Sequence, residues 1–283
     1  MSKVGLVLEG GAMRGLYTIG VLDVFLENEF FPNYIIGVSA GANNGVSYAA
    51  KQQNRAYRVI MDNVKNPKYV SLKNFIKTKS VFGMDYLFDE IPNKIDPLDY
   101  DCLINSDLEF VVGTTNIKTG NTVYFGKDEL RDHDCTILRA SSALPILSPI
   151  VKYKGDEYLD GGTTDPIPVK KAIEDGCDKL IIVLTQHHGF VKQPQKYHFA
   201  YKHIFKNNPE MINALDRRHE VYNETLNYIN SLEKMGKAIV IAPSIPILMS
   251  RFEKKRPILD IVYNLGRKDA ATNIDLILEL LGK

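Results

Sequence analysis

Short apolar runs alternate with helix-like segments along the chain. The first run, Val4–Leu8, ends at a pair of glycines, and the second, Tyr34–Val38, leads into another turn bounded by glycines. Between them, apolar residues recur at helical spacing over residues 16–26. Buried strands that alternate with helices form parallel sheets covered on both faces. We therefore expect an α/β fold with three layers, in which helices cover both faces of a mostly parallel central sheet.

The alternation continues around one irregular segment. Residues 51–105 are polar with scattered aromatics, and we interpret them as helices and loops that form a cap-like insertion. Strands are predicted over 108–115, 122–125, 157–159, 180–184 and 238–241, and helices over 135–143, 209–235 and 257–281. Asp165-Pro166 predicts one more helix start, because proline suits the first helical position. Without a linker or repeat, residues 1–283 are interpreted as a single domain.

Composition and charge narrow the function classes. The 283 residues are 45% hydrophobic and 24% charged, which is typical of a soluble globular protein. The formal net charge of +1 argues against a nucleic-acid partner. The three cysteines lie far apart without the spacing of a metal site, so we predict no metal ion and no cofactor.

Hydropathy bears on where the protein acts. The run Val4–Leu8 is shorter than the apolar region of a signal peptide, and no stretch approaches the roughly 18 apolar residues of a membrane span. We therefore expect a cytoplasmic protein, with peripheral contact as its route to a membrane. Basic residues at 251 and 254–256 follow the apolar run 245–249, which suits an anionic bilayer and equally fits a solvated charge run.

The turn after the second predicted strand carries a candidate nucleophile. It reads Gly37, Val38, Ser39, Ala40, Gly41, the Gly-x-Ser-x-Gly pattern at a strand-to-helix turn. Small residues let such a turn lift the serine hydroxyl out of the sheet towards the positive end of the next helix. The pattern predicts a serine acyl hydrolase, and the alternative is a plain tight turn.

The turn after the first predicted strand offers donors for a developing oxyanion. It contains Gly10, Gly11, Ala12, Met13, Arg14 and Gly15, whose backbone N–H groups can converge on an anion. The carboxyl ends of parallel strands open on one edge, so this loop and Ser39 can share a crevice. A dinucleotide fingerprint is the alternative, but Ala12 replaces its second glycine and no acidic residue ends the next strand.

A serine nucleophile needs a base, and the residues leave two candidates. Asp160 ends a predicted strand and is followed by Gly161 and Gly162, which permit close backbone approach. A carboxylate in a partly dry cleft can accept the serine proton. The order Ser39, Asp160, His188 would instead match a Ser-Asp-His triad, although His188 lies in a polar turn. A turn aspartate without a catalytic role is the remaining reading.

Taken together, the motifs resemble the patatin-like phospholipase family in its short bacterial form. The glycine loop, the Gly-x-Ser-x-Gly turn and Asp160-Gly161-Gly162 occur in the family's order, with an Ala-Ser-rich segment at 140–145 and a proline-containing segment at 165–169. The one departure is Ala12, where the family usually has a third glycine. No motif was matched in residues 185–283.

The resemblance implies a serine lipid acyl hydrolase of the phospholipase A or lysophospholipase kind. It implies a Ser39–Asp160 dyad without a metal, an oxyanion held by backbone N–H groups around Gly10, Gly11 and Ala12, and Arg14 as the residue that shapes or charges the loop. The expected partner is a fatty-acyl ester lipid. Two alternatives stay open: a carboxylesterase or thioesterase with a Ser-Asp-His triad, and a catalytically silent lipid-binding protein.

Overall fold

The computed structural model describes residues 2–196 and 198–280. Within them, eight strands form one sheet in the order β5-β6-β3-β2-β1-β7-β8, with β4 also paired to β3. The strands are β1 (Val4–Leu8), β2 (Tyr34–Val38), β3 (Glu109–Asn116), β4 (Thr122–Gly126), β5 (Val151–Tyr153), β6 (Asp156–Asp160), β7 (Lys179–Val183) and β8 (Ala238–Ile241).

The sheet is mostly parallel. Strands β3, β2, β1, β7 and β8 run in one direction, whereas β4 and β6 are antiparallel to β3, and β5 is antiparallel to β6. This confirms the predicted α/β fold with a mostly parallel central sheet.

Helices flank the sheet and fill the connections between strands. They are α1 (Gly15–Glu27), α2 (Ala40–Ala49), α3 (Arg55–Met61), α4 (Leu72–Thr78), α5 (Tyr100–Asn105), α6 (Thr136–Ser141), α7 (Val169–Glu174), α8 (His198–Ile204), α9 (Pro209–Lys234) and α10 (Arg256–Leu280). A π-helical segment spans Tyr86–Ile95, and short 3₁₀ turns span Ala12–Arg14, Lys127–His133 and Gly161–Thr163.

Two hydrophobic cores lie on the two faces of the sheet. Along β1, Leu6 and Leu8 join the core with α1, α2 and α10, while Val7 joins the other with α7 and α9. This alternation follows from the pleat of a strand, which points successive side chains to opposite faces. Because both cores are apolar, the buried strands read as continuous hydrophobic runs.

Residues 51–105 contain α3, α4, α5 and the π-helical segment, as the sequence indicated. Their role as a cap, and the assignment of the chain to one domain, stay predictions. The predicted helix start at Asp165-Pro166 is wrong, because α7 begins at Val169. Pro168 disfavours the helical conformation at the residue before it, and the Asp165 carboxylate accepts a hydrogen bond from Tyr124 instead.

One edge of β3 is shared by two strands placed end to end. Gly113 pairs with Val38 of β2, and the next residue, Thr114, pairs with Asp160 of β6, while β4 pairs with both Gly113 and Thr114. A strand has only two edges, so β4 occupies one, and β2 and β6 follow each other along the other. Ser39, which directly follows β2, is therefore brought against the end of β6.

The last helix packs closely on the helix that follows the glycine loop. A Cβ atom added to Gly20 of α1 would lie 2.1 Å from the Tyr263 carbonyl oxygen, and one added to Gly266 of α10 would lie 2.0 Å from that of Tyr17. The Tyr17 hydroxyl also donates to Asp269 Oδ2 at 3.0 Å. The carboxyl-terminal part of the described chain is thus joined to the layer that supports the glycine loop.

Candidate active site

The backbone of the turn at Ser39 is strained and lies close to neighbouring segments of the chain. Ser39 has φ 53° and ψ −125°, a combination that most residues avoid and that is typical of functional turns. A Cβ atom on Gly37 would lie 2.7 Å from the Ala42 nitrogen, and one on Gly41 would lie 2.4 Å from the Leu8 carbonyl oxygen. Both glycines of the pattern are therefore required by sterics. Val38 is fully buried in β2, and Ala40 begins α2.

Asp160 lies in contact with Ser39. The Ser39 hydroxyl donates to Asp160 Oδ2 at 2.6 Å, and the Gly162 amide donates to Asp160 Oδ1 at 2.8 Å. Ser39 is 9% exposed and Asp160 is 3% exposed. Burial raises the pKa of the Asp160 carboxyl, and the hydrogen bond from Ser39 opposes this in part. A carboxylate with a raised pKa that already accepts from the serine hydroxyl is arranged to take its proton.

A second contact fixes the backbone of the nucleophile. The Ser39 amide donates to Ser141 Oγ at 2.8 Å, and the Ser141 hydroxyl donates to the Gly113 carbonyl oxygen at 2.7 Å. Ser141 lies in the Ala-Ser-rich segment, whose local role the sequence did not reveal. These two hydrogen bonds connect the Ser39 turn to β3, the strand that also pairs with Asp160.

The glycine loop lies beside Ser39, and its backbone donors differ. The Gly10 amide donates to the Pro166 carbonyl oxygen at 3.4 Å, whereas the amides of Gly11 and Ala12 have no acceptor in the described part of the chain. Ala12 has φ 49°, a left-handed conformation that favours glycine. The position where the family pattern has a third glycine therefore carries backbone strain here, but the alanine adopts the conformation.

The remaining loop residues support the site from two sides. A Cβ atom on Gly15 would lie 2.9 Å from Ala40 Cβ, which packs the loop against the start of α2. Met13 is buried beside an apolar cavity. Arg14 is half-buried, and within residues 2–196 and 198–280 its Nε atom has no hydrogen-bond partner. Burial lowers the pKa of the Arg14 guanidinium, and the negative charge of Glu9 opposes this.

One histidine, His219, lines a cleft that borders Asp160, whereas the candidate base His188 does not. His188 is exposed, and its carbonyl oxygen is 2.7 Å from His187 Nδ1. No histidine among the described residues forms a hydrogen bond with Ser39 or Asp160. The structure thus brings together the aspartate and the serine of the sequence hypothesis and leaves His188 outside.

Two cavities of different character meet at this pair. One is apolar and is lined by Ser39, by Met13, by Phe82, which lies between α4 and the π-helical segment, and by side chains of α2, α3 and the π-helical segment, among them Val46, Val59, Leu87 and Phe88. The other is a wide cleft of about 870 Å³ that borders Asp160 and Arg14. Phe82 and Phe88, two of the scattered aromatics of the 51–105 segment, line the apolar cavity.

Sequence reasoning did not place three cations in the cleft: Lys192 and Arg218 were not singled out, and Arg251 was interpreted only as part of the basic run at 251 and 254–256. Lys192, Arg218 and Arg251 line it together with Arg14, but they come from two loops and from α9. None stands in a motif, and one cation in a polar segment gives no signal of its destination. Only the tertiary fold brings them together.

A cluster of metal ligands and a membrane-spanning helix are two further features that would bear on function. Across the described ranges, no group of three or more histidine, cysteine, aspartate or glutamate side chains is arranged to hold a metal ion. Nor does any described helix combine the length and apolarity needed to cross a bilayer.

Comparisons with known proteins point to lipid esters. A family model described as patatin-like phospholipase matches residues 6–173, and a model of a domain of unknown function matches residues 208–282. The uncharacterized protein YjjU of Escherichia coli is 28% identical over 94% of this chain and 75% of its own length.

More distant similarities extend to eukaryotic and structural relatives. Lysophospholipase NTE1 of Scheffersomyces stipitis is 24% identical over 86% of this chain, and lysophospholipase nte1 of Aspergillus terreus is 30% identical over 64%. The chain covers only 16% and 12% of those two proteins. The crystal structure of VipD from Legionella pneumophila aligns with a TM-score of 0.48 at 14% identity, over 97% of this chain and 67% of that one.

Replacement of the buried carboxylate should change stability with a defined pH dependence. A group whose folded-state pKa is raised contributes stability at low pH that is lost as the pH rises through that pKa. The Asp160→Asn side chain does not titrate, so its free energy of unfolding relative to wild type should increase from about pH 4 to 8. Urea unfolding at several pH values measures this difference.

Asp132 supplies the matched control. It is exposed and has φ 58°, a conformation that asparagine also tolerates, so Asp132→Asn should show no comparable pH-dependent change. A difference that stays flat with pH in Asp160→Asn would contradict burial as the source of the raised pKa.

Proposed function

Because the chain belongs to the patatin-like phospholipase family, we propose that it is a serine lipid acyl hydrolase of the phospholipase A or lysophospholipase kind that uses Ser39 and Asp160. The observation that carries this proposal is the 2.6 Å hydrogen bond from the Ser39 hydroxyl to Asp160 Oδ2 in a buried setting. The names of the two lysophospholipase relatives agree with a fatty-acyl ester as substrate.

The proposed reaction begins with proton transfer. Ser39 Oγ attacks the ester carbonyl carbon while its proton passes to Asp160 Oδ2, which already accepts its hydrogen bond. The carbonyl oxygen becomes an oxyanion that the unpartnered amides of Gly11 and Ala12 would hold. Preorganised donors of this kind stabilise the charge without reorganisation.

The second half regenerates the enzyme. Asp160 returns its proton to the departing alcohol oxygen, which leaves the acyl group bonded to Ser39. Water then attacks the acyl-enzyme while Asp160 accepts one of its protons. Collapse of the second tetrahedral intermediate returns that proton to Ser39 and releases the fatty acid.

The apolar cavity is the proposed site of the acyl chain. It opens at Ser39 and is enclosed by aliphatic and aromatic side chains such as Ile60, Leu98 and Leu138. Burial of a fatty chain there would contribute about 0.8 kcal/mol for each CH₂ group. A water-soluble ester with a short acyl group would leave most of this cavity unused.

Peripheral contact with a membrane is proposed for the surface beside the cavity. Leu72 and Ile76 of α4 are each 73% exposed and alternate with lysines. The loop before α10 adds Leu248, 93% exposed, followed by further lysines. The Phe82 and Phe252 rings lie 5.6 Å apart, which joins the two segments. Apolar side chains interleaved with cations suit an anionic interface.

Loss of either member of the pair should abolish ester hydrolysis. Ser39→Ala removes the nucleophile and Asp160→Asn removes the base, so we expect kcat/KM to fall by about 10³-fold or more in each. His188→Ala and His187→Ala serve as controls and should retain turnover. For the wild type, kcat/KM should decrease as the pH falls through the raised pKa of Asp160, because a protonated carboxyl cannot accept the serine proton.

A fluorophosphonate probe tests the nucleophile directly. Mass spectrometry should locate the label on Ser39 in the folded protein. Failure to label Ser39 would favour a silent lipid-binding protein, and loss of activity in His188→Ala would favour a Ser-Asp-His triad.

Narrowing the apolar cavity should shorten the preferred acyl chain. Val59 is half-buried on α3 and lines the cavity, so Val59→Trp would fill space that a long chain needs. The ratio of kcat/KM for palmitate to butyrate esters of p-nitrophenol should fall by about tenfold or more. The butyrate ester and the rate of fluorophosphonate labelling report on the catalytic groups themselves. An unchanged ratio would place the acyl chain elsewhere.

Charge placed on α4 should weaken membrane binding. Leu72→Glu combined with Ile76→Glu should lower the binding constant for phosphatidylglycerol vesicles by about tenfold or more in a sedimentation assay, because burial of two apolar side chains is lost. Met235→Glu is the control, since Met235 is 66% exposed at the end of α9, just before the edge strand β8 begins. Equal binding of both variants would contradict this docking surface.

A further inference from the structure

Four cationic side chains converge on one cavity beside the Ser39–Asp160 pair. They are Arg14 after β1, Lys192 in the loop before α8, Arg218 on α9 and Arg251 in the loop before α10. Three of the four are half-buried, and Arg251 is exposed. The family model that identifies the hydrolase ends at residue 173, so it includes Arg14 alone.

The fold holds these cations in place through neutral contacts. Arg218 Nε donates to the Gly162 carbonyl oxygen at 2.6 Å, two residues from Asp160. The Arg251 carbonyl oxygen accepts from the Met13 amide at 3.4 Å, which ties its loop to the glycine loop. Arg218 and the loop that carries Arg251 are therefore held in place by contacts with the Asp160 turn and the glycine loop.

Lys192 is anchored in the same way from a third direction. Its backbone exchanges hydrogen bonds with the Asn223 side chain at 2.8 and 3.0 Å, and its Nζ atom lies 4.3 Å from the centroid of the Tyr222 ring. These contacts hold the loop on α9 and leave the ammonium group facing the other cations.

The cavity contains two carboxylates, and both are already engaged. Glu9 accepts from the Thr185 amide at 2.6 Å and from the Tyr222 hydroxyl at 2.8 Å, while Asp160 accepts from Ser39 and from the Gly162 amide. Within residues 2–196 and 198–280, none of the four cations forms an ion pair with a carboxylate. Four basic side chains thus face two carboxyl groups.

Burial and mutual repulsion both lower the pKa values of cations in this cavity. The pKa of Lys192 is lowered to about 7, mainly by burial and further by the charges of Arg218 and Arg251. Burial and the charge of Arg251 lower the pKa of Arg218 to about 10. A bound anion would relieve this repulsion and would gain charge-assisted hydrogen bonds.

The position of the cations relative to Ser39 indicates which part of a substrate they would meet. Ser39 and Ala12 line both the apolar cavity and the cationic cavity. An ester with its acyl chain in the apolar cavity therefore directs its alcohol portion towards the cations. An anionic group on the alcohol, a short distance from the ester oxygen, would meet them.

We propose that Arg14, Lys192, Arg218 and Arg251 form a phosphate subsite for the alcohol portion of the substrate. This inference rests on the proposed function, and it specifies the substrate class as acylated glycerol phosphates, with a phosphate monoester preferred over a neutral glyceride. The fork of each guanidinium can bind two phosphate oxygens, and the ammonium adds a point charge.

Binding of product-like anions tests the subsite without catalysis. Calorimetric titration of Ser39→Ala protein with glycerol 3-phosphate should give saturable binding. A second protein, which adds Lys192→Met and Arg251→Gln, should bind about tenfold or more weakly. A third, which adds Lys202→Met to Ser39→Ala, is the control, because Lys202 is exposed on α8 and does not line the cavity. Circular dichroism verifies that all three are folded.

Parallel titrations with inorganic phosphate and with octanoate identify the anion. Weaker binding of inorganic phosphate than of glycerol 3-phosphate, with the same loss in the double substitution, supports a phosphate subsite that also reads the glycerol. Tighter binding of octanoate, equal affinities in all three proteins, or no saturable binding to Ser39→Ala would overturn the proposal.

Kinetics on the wild-type protein separate this inference from the proposed function. A monoacylglycerol phosphate should be cleaved with a higher kcat/KM than the monoacylglycerol of the same chain, and the double substitution should collapse that ratio mainly through KM. Cleavage of both esters at equal rates would refute the subsite and leave the hydrolase intact. Absence of ester cleavage, with phosphate binding retained, would refute the hydrolase and leave an anion site.

Discussion

The site depends on how β3 is paired. Gly113 and Thr114 are adjacent on this strand. On one edge of the strand, Gly113 pairs with the end of β2 and Thr114 pairs with the end of β6. Because these two pairing positions are neighbours on β3, Ser39 and Asp160 lie within hydrogen-bond distance although they are 121 positions apart in sequence. A Cβ atom on Gly161 would lie 2.2 Å from the Gly113 carbonyl oxygen, so the close passage of the backbones requires glycine there.

This pairing has an electrostatic cost. Asp160 is buried, and its two oxygens accept from a hydroxyl and an amide, while no cation forms an ion pair with it among the described residues. A carboxylate held in this way is less stable in its charged form than in water, which raises its pKa. The strained backbone of Ser39 adds to that cost. Both features oppose stability in the place where a nucleophile and its base would meet.

Much of the fold was readable because β1 and β2 are uniformly apolar and each leads into a turn that contains glycine. The bounds predicted for the first two strands agree with β1 and β2, since no tertiary contact competes with so strong a local pattern. The predicted helix start at Asp165 was wrong. The preference of Pro166 for the first helical position takes no account of Pro168, which disfavours the helical conformation at the residue before it. Short motifs likewise indicated Ser39 and Asp160.

What the sequence could not predict was the surroundings of that pair. Ser141 positions the Ser39 amide from 102 residues away, and its hydroxyl has no local signature. Nothing in the sequence sets apart the cations at 192 and 218, and the basic run that begins at 251 indicated a bilayer surface or solvent instead. The three become neighbours only through the packing of α9 and of the loop before α10. The hydrogen bond between Ser39 and Asp160, on which the proposal of aspartate as the base depends, is also visible only in the structure, since aspartate and histidine both fit the order along the chain.

The separate origins of the site's parts bear on how its chemistry could diversify. The serine, the aspartate and the glycine loop lie within residues 6–173, whereas three of the four cations lie beyond residue 190. With the proposed roles, substitutions in the later segment would alter which alcohol is recognised while leaving bond cleavage to the earlier one. Headgroup preference would then diverge among relatives through changes in the last third of the chain, with the proposed reactive centre unchanged in the earlier part.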